Sequence, residues 1–507
     1  MLKRIDNLLN FITMYRLMLY YLTFLISLSI IFSAFKLLPY DPLVIILFCS
    51  VILFSSIASN KLLATLFKAP SNVESVYITA LILTLIITPV FSGTGSLLPA
   101  IFSSIIAMAS KYLIAIKKKH LFNPAAFSAV ISFLVFNHVV ASWWIGNPIM
   151  ALPVLAGGLL IVRKLRRFDL VLSFFLLYFS LTGLSALLRE NDLVSFIRQT
   201  IIYSPTLFFA FVMLTEPMTT PPTKNRRMIY GGLTGIIYAN FLSFAGFNFT
   251  PEMALLAGNV FSYLVSSKQK LVLKFRNRIQ EGKDTYDFIF ETDRKLAFAP
   301  GQYLEWTLIH PKFDNRGIRR YFTLASSPTE QSPMIGVKFY DRPSTFKQHL
   351  LALEEGHQVV AAQLSGDFTL PKDKTKKLVF IAGGIGVTPF RSMTKYLLDT
   401  KEKRDIVLLY SNKTAAEICY RAIYDQAEKE IGLKAIYTLT DQENIPTNWS
   451  GLTEKITGTL VTKYVPDYRD RIFYISGPQA MVTAITNSLI ESGIKRSKIK
   501  TDYFPGF

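Results

Sequence analysis

Apolar residues crowd the first half of the chain. Up to about Ser266 the sequence runs as long apolar stretches broken by short basic loops; beyond it the runs shorten and charge is dense. A helix crossing the hydrocarbon core needs about 20 apolar residues, fewer where protein surrounds it. On that measure ten segments are predicted as helices: 17–38, 42–59, 75–91, 97–116, 124–143, 149–162, 170–188, 200–214, 228–247 and 251–266. The period then changes. Residues 271–275 and 285–290 alternate as antiparallel strands do, and Pro300-Gly301-Gln302-Tyr303 reads as a turn into a further strand. Residues 377–382 form a buried strand followed by glycines and a helix at 390–398, and further strands are expected at 406–410 and 471–475. The expected fold class is a polytopic α-helical membrane domain of about ten helices, 1–268, followed by an antiparallel β-barrel, 269–372, and an α/β nucleotide domain, 373–507.

Charge placement sharpens the membrane part. Alternate loops carry Lys3, Arg4 and Arg16; Lys61 and Lys68; Lys117, Lys118 and Lys119; Arg163, Lys164, Arg166 and Arg167; and Lys224, Arg226 and Arg227. The loops between them carry only Lys36, then Arg189 and Arg198. Basic loops face the cytoplasm, so both termini and the C-terminal region are expected there, in a multi-pass protein of the cell membrane. The net charge of +20 is explained by these loops, and no nucleic-acid partner is implied; membrane lipid is. A cleaved signal peptide is not expected, because the first apolar run is long and lacks a small-residue cleavage site.

The redox inventory is short. Cys49 and Cys419 lie in different regions, so no iron–sulfur cluster can be built from this chain. Of five histidines only His120 and His138 fall in the membrane region, too few for paired axial haem ligands on facing helices.

The two halves of the membrane region look alike. The third predicted helix ends Ile86-Ile87-Thr88-Pro89 and the eighth ends Leu214-Thr215-Glu216-Pro217; the fifth begins Phe122-Asn123-Pro124 and the tenth Asn248-Phe249-Thr250-Pro251. Five helices per half make this an inverted repeat, a plan that places ligands near the midplane where helices break. Asn123 and Glu216 are the candidate ligand-binding residues, since an acid at the end of an apolar helix is costly without a partner or a task. Phe122-Asn123-Pro124-Ala125 together with Met213-Leu214-Thr215-Glu216-Pro217 and Pro221-Pro222-Thr223 resembles the family of the Rnf and Nqr membrane proteins RnfD and NqrB, ten-helix proteins that carry flavin in ion-translocating electron-transfer complexes. That family attaches FMN to a threonine in a Ser/Thr-Gly-Ala-Thr motif. No such motif occurs here; Ser92-Gly93-Thr94-Gly95 is the nearest string, and its threonine is misplaced. With no flavinylation threonine and no iron–sulfur or haem ligands, electrons that cross the membrane are expected to need a non-covalent FMN, riboflavin or quinone in the membrane domain.

The soluble half turns on Arg319-Arg320-Tyr321-Phe322-Thr323-Leu324-Ala325-Ser326-Ser327. A cation, an aromatic and a hydroxyl on one strand suit a flavin nucleotide, pairing with phosphate, stacking on the ring and bonding a ring nitrogen. The stretch resembles the flavin-binding signature of the ferredoxin reductase family. Carried over by position, Arg320 meets the FAD pyrophosphate, Phe322 stacks on the ring and Thr323 bonds beside the hydride-accepting nitrogen; Tyr321 and Ser326 complete the motif. The usual tyrosine is Phe322 here, which keeps stacking and loses a hydroxyl. Ser344 and Thr345 can cap a short helix, where the same family places its pyrophosphate helix. Gly383, Gly384 and Gly386, with Thr388 and Pro389, form a glycine turn between a strand and a helix, the context in which glycines let a pyrophosphate approach the backbone. Ser476-Gly477-Pro478, with Met481 opening a helix, resembles the motif that flanks the nicotinamide in that family, where cysteine usually stands in place of Ser476. Thr323 and Ser476 are the expected catalytic positions, and FAD with NADH or NADPH the expected cofactors.

These readings converge on a membrane-bound flavin oxidoreductase. It would take hydride from cytoplasmic NAD(P)H onto FAD and pass electrons into or across the membrane to a flavin, a quinone or an external acceptor, including an extracytoplasmic flavoprotein. The alternatives are a membrane-anchored quinone reductase and an ion-coupled carrier whose helices carry no electrons. Lys413, just past the strand ending at Tyr410, lies where a 2′-phosphate partner could sit, but a surface lysine is the commoner explanation.

Overall fold

The computed structural model describes residues 5–6, 8–9, 12–67, 73–89, 97–116, 119–137, 140–188, 192–240, 248–265, 271–311, 313–314 and 317–504. The chain divides into two compact units, Met1–Lys270 and Leu271–Phe507. The Ser92–Gly95 string lies outside the described residues.

Helices occupy all ten predicted segments of the first unit. Nine are single helices: α1 (Met14–Ala34), α2 (Pro42–Leu66), α3 (Val73–Ile86), α4 (Leu97–Leu113), α5 (Pro124–Phe136), α6 (Pro148–Leu165), α7 (Phe168–Leu188), α8 (Lys224–Tyr238) and α9 (Pro251–Val265). The segment expected at 200–214 is broken. Val194–Ile202 and Thr206–Met213 meet at 53°, around Pro205, which lacks an N–H and cannot continue the hydrogen-bond ladder. Among the described residues, four helices can cross a membrane by length and composition (α1, α2, α6 and α7), or five if the bent pair is one span. For one of the short segments the cause is local. The apolar run 124–143 stops being helical at Phe136, because Asn137 adopts a left-handed conformation (φ 52°). Past it, Ala141 bridges Ile87 and the Trp143 N–H donates to Ile86 O at 2.8 Å, so the ends of two apolar runs pair with each other as extended chain. Irregular backbone inside an apolar layer is tolerated where protein buries it, and Trp143 and Trp144 are indeed buried.

Helix starts follow their cap residues. The Asp41 carboxylate accepts from the Leu43 N–H, Asn123 Oδ1 from Ala126 and Asn147 Oδ1 from Ile149, each followed by proline at the first helical position. The unit's polarity is inverted relative to a water-soluble core. Phe54, Leu152, Leu176 and Leu264 stand exposed, while Ser29, Ser56, Ser103, Ser132, Thr234 and Asn259 are fully buried, the distribution expected of helices that meet lipid outside and small or polar residues inside. Gly231 shows the closeness this permits: a Cβ there would stand 2.4 Å from Leu170 O of α7.

The second unit holds two sheets. Six antiparallel strands, β1 (Leu271–Gly282), β2 (Thr285–Glu291), β3 (Tyr303–Thr307), β4 (Arg319–Thr323), β5 (Met334–Lys338) and β6 (Gln358–Ser365), are ordered β4-β3-β6-β1-β2-β5. The outer strands β4 and β5 nearly close the barrel, since the Ala325 N–H just past β4 donates to Met334 O at 2.8 Å. Its interior is filled by Leu273, Phe288, Phe290, Leu304, Trp306 and Phe346. The helix α10 (Thr345–Leu351) lies between β5 and β6 in sequence.

Five strands follow, β7 (Leu378–Gly383), β8 (Ile406–Asn412), β9 (Lys434–Leu439), β10 (Ile472–Pro478) and β11 (Ile499–Phe504), all parallel and ordered β9-β8-β7-β10-β11. Helices α11 (Thr388–Asp399) and α12 (Arg421–Ile431) cover one face through Phe390, Met393, Leu397 and Tyr424; α13 (Gly458–Tyr464) and α14 (Gln479–Glu491) cover the other through Leu460, Val461, Ile485 and Leu489. Both faces being buried, β7 reads as an unbroken apolar run.

Candidate functional site

The pleat of β4 sorts the flavin-type motif into two faces. Arg320 and Phe322 share one. The Arg320 guanidinium carbon lies 5.1 Å over the Phe346 ring, and the Phe322 and Phe346 centroids are 5.9 Å apart. Arg319 and Tyr321 share the other with Thr323, and both reach the buried Glu305 carboxylate: Arg319 Nη1 donates to Oε1 at 3.1 Å and the Tyr321 hydroxyl to Oε2 at 2.7 Å. The three positions read together from sequence therefore do not point one way. Thr323 is buried and closes the strand opposite Tyr303.

Arg320 is held for an anion. It donates to Gly317 O at 3.1 Å and Arg319 O at 2.7 Å, and its Nη2 lies 3.5 Å from Asp314 Oδ1. Asp314 Oδ2 also accepts from the Thr345 N–H at 3.2 Å. One carboxylate thus sits between Arg320 and the backbone amide of Thr345, so these two donors converge on a single negative group, and the residues fit a flavin phosphate. Ser344 caps the seven-residue α10 by accepting from the Lys347 N–H. His310 contacts Thr345 Oγ1 at 3.3 Å and stacks on His349 at 4.3 Å; burial, with His349 and Arg320 beside it, lowers its pKa.

The glycine turn and the serine–glycine–proline turn meet. β7 and β10 pair in parallel with Ser476 opposite Ala382, and the sheet's order reverses between them, the switch point at which open α/β sheets bind ligands. A Cβ on Gly386 would stand 2.4 Å from Ser476 O, and Gly384 holds φ +53°. The Met481 sulfur would lie 2.3 Å from a Cβ on Gly383, so the start of α14 packs directly on the turn. Thr388 and Pro389 open α11. Ser476 is fully buried, and its hydroxyl makes no hydrogen bond among the described residues; a buried orphan hydroxyl beside a glycine cradle fits a bound nucleotide. The expected site residues of both motifs thus lie in one compact unit.

A polar cluster that sequence reasoning missed joins the two sheets. Tyr420, at a left-handed φ of 62° before α12, donates its hydroxyl to Asp287 Oδ1 of β2 at 2.6 Å. Burial, with Glu281 and Glu330 nearby, pushes the Asp287 carboxyl up to about 7 against the pull of Tyr420 and Arg391. Its residues are scattered in sequence and carry no motif; an aspartate inside an otherwise apolar strand is the one available signal.

In the first unit Asn123 and Glu216, singled out from opposite halves, touch. Asn123 Nδ2 donates to Glu216 Oε2 at 2.9 Å, and Thr219 Oγ1 to the same oxygen at 3.1 Å. His120 Nε2 lies 3.7 Å from Oε1. The Asn123 N–H donates to Asn259 Oδ1 at 2.8 Å, and Asn259 Nδ2 to the Tyr230 hydroxyl at 3.0 Å. Near the start of α9, buried Glu252 accepts from Trp143 Nε1.

Residues 144–271 match the model of the NQR2, RnfD, RnfE family, and residues 380–487 match the oxidoreductase NAD-binding domain. Among curated proteins, the glycine betaine monooxygenase reductase subunit of Chromohalobacter salexigens is 27% identical over 45% of this chain and 62% of its own length. The F component of the Na(+)-translocating NADH-quinone reductase of Pseudomonas aeruginosa is 30% identical over 38% of this chain and 50% of its own. The chain thus spans between half and two thirds of the length of these relatives. Among solved structures, the cytochrome P450 reductase GcoB of Amycolatopsis aligns with TM-score 0.42 and 22% identity, over 47% of this chain and 70% of that one. The two family-model matches fall on separate parts of the chain, the NQR2, RnfD, RnfE family on residues 144–271 and the oxidoreductase NAD-binding domain on residues 380–487, an arrangement consistent with a fusion.

Proposed function

We propose that the protein is a membrane-bound, NAD(P)H-dependent FAD oxidoreductase that passes electrons from the cytoplasm into or across the membrane. The observation that carries this reading is the presence, in one compact unit, of an anion-holding Arg320 beside Phe322 and a glycine cradle at a sheet switch point. The reading assigns 269–372 to flavin and 373–507 to the nicotinamide dinucleotide. When bound, FAD supplies the conversion of a two-electron hydride donor into single electrons. Arg320, with the Thr345 amide, neutralises the phosphates; Phe322 packs against the ring; Thr323 offers its hydroxyl at the strand's end. Gly383, Gly384 and Gly386 let the dinucleotide approach the backbone, and the Ser476 hydroxyl and Pro478 border the nicotinamide.

In the membrane unit, Asn123 and Glu216 are assigned to a non-covalent flavin or quinone site, with quinone or an extracytoplasmic flavoprotein as the onward acceptor. The name of the Pseudomonas aeruginosa relative, part of an NADH-quinone reductase, favours quinone among these. The basic loops favour a cytoplasmic side for both termini.

Purified full-length protein tests the reading directly. FAD should be extractable without covalent attachment, a second flavin or a quinone should accompany it, and NADH or NADPH should bleach the flavin absorbance. Protein that folds, binds FAD and is bleached by neither nucleotide would overturn the assignment. A C-terminal reporter active only outside the cell would overturn the orientation.

A further inference from the structure

We propose that Ser392 and Arg391 are positioning residues: through them helix α11 sets the distance between the flavin seat and the nucleotide seat. The inference rests on the functional reading above and concerns residues to which that reading gives no role. Helix α11 begins at Thr388, directly after the glycine turn. At the end of its first turn, about 5–6 Å along the axis, two buried side chains reach the chain just beyond β4. Ser392 Oγ donates to Ser326 O at 2.6 Å, and Arg391 Nη1 donates to Ala325 O at 3.1 Å. Arg391 is itself clamped by Glu330, with Nη2 to Oε1 at 2.9 Å and Nη1 to Oε2, and Glu330 Oε2 accepts from the Ser327 N–H at 2.6 Å.

Three consecutive residues after the flavin-type strand, Ala325, Ser326 and Ser327, are therefore tied to one rigid turn of the nucleotide sheet's helix. All three are buried, so water cannot take over a broken bond. A second contact keeps the helix from pivoting. Thr388 Cγ2 and the Tyr420 hydroxyl lie 2.8 and 2.5 Å from where a Cβ on Gly336 of β5 would stand, so the glycine admits both against the barrel. With the helix start fixed on the nucleotide turn and its next residues fixed on the flavin strand's exit, the two seats have one separation. Transfer between bound groups is steep in that separation, a 1 Å error costing on the order of a hundredfold in rate.

The test uses full-length, FAD-loaded protein in mild detergent, with Ser392→Ala and Glu330→Gln as variants, because Arg391→Ala would leave Glu330 unpaired and risk the fold. Three quantities are read: the flavin reduction rate at saturating nucleotide, the nucleotide KM, and backbone hydrogen exchange in residues 319–330. Expected are a fall in rate of about tenfold, a KM within about twofold of the parent, unchanged FAD content, and faster exchange confined to 324–330. An unchanged rate despite faster exchange overturns the proposal. So does a fall that accompanies FAD loss in both variants, which would make the contacts structural only. If the parent protein is not reduced by either nucleotide, it is the functional reading that fails, and the exchange measurement still decides whether α11 holds the strand.

Discussion

Asp287→Asn should abolish a pH dependence that the wild-type fold carries. Asp287 is 2% exposed in β2, and burial raises its carboxyl from the ordinary 3.8 to about 7. Below about pH 4 folded and unfolded chains both hold the proton. Between there and about 7 only the folded chain does, so stability falls as pH rises, by about 1.4 kcal/mol per unit. Above 7 both states are ionised and the loss is complete, at roughly 4 kcal/mol for a shift of about three units. Asparagine keeps an oxygen for the Tyr420 hydroxyl to donate to and has nothing to ionise. The assay is hydrogen exchange of the β2 amides in the full chain at pH 5 to 8, corrected for intrinsic rates, since those amides report the second unit alone. The variant should gain about 3 kcal/mol on the wild type across that range. Contributions from elsewhere in the protein are common to both proteins and cancel from the difference. Parallel profiles would refute the burial argument and mean that water reaches Asp287.

Arg320→Ala removes a charged contact worth about 1.5–3 kcal/mol, so FAD affinity should fall by one to two orders of magnitude; undiminished affinity in equilibrium dialysis would place the phosphate elsewhere. Gly386→Ala sets a methyl 2.4 Å from Ser476 O, backbone that cannot swing aside, so nucleotide binding should be lost and the melting temperature lowered, and a variant that binds NAD(P)H normally would show that the two turns separate. Asn123→Ala removes both the α5 cap, about 1 kcal/mol, and a donor to Glu216; thermal unfolding of the membrane unit in detergent should fall by several degrees more than for Thr219→Ala, which removes a donor only.

How far the sequence reaches differs between the units, for physical reasons. The glycine turn was legible because close backbone approach admits one residue type, and Gly386 against Ser476 O is that approach. The β4 motif was legible as a string, but the string does not say which pleat each side chain takes. Arg320 and Phe322 were placed by Phe346, more than twenty residues on, while Tyr321 went to Glu305 on the neighbouring strand. The pairing across β3 and β4 that decides this is a tertiary fact. Asp287 and Tyr420 meet across 133 residues, and nothing local to either announces it.

The membrane unit shows the converse case. Apolarity marked every helical segment and overstated the length of some, such as 124–143, because hydropathy cannot distinguish a residue in a helix from one in buried extended chain. Residues 140–143 are as apolar as a helix end, yet the left-handed Asn137 and the bond from Trp143 to Ile86 O turn them into a short pairing with the end of α3. Breaking both runs has a consequence for the site. A continuous helix satisfies its own backbone; a helix that starts at Asn123-Pro124 inside an apolar unit must find partners for its first amides and for the residue before them. Asn123 Oδ1 takes the Ala126 N–H, Asn259 Oδ1 takes the Asn123 N–H, and that leaves Asn123 Nδ2 for the Glu216 carboxylate. The interruption that looked like a repeat signature in sequence is thus what orients a buried amide at a half-buried acid, and the polar site follows from the broken helix rather than being added to it.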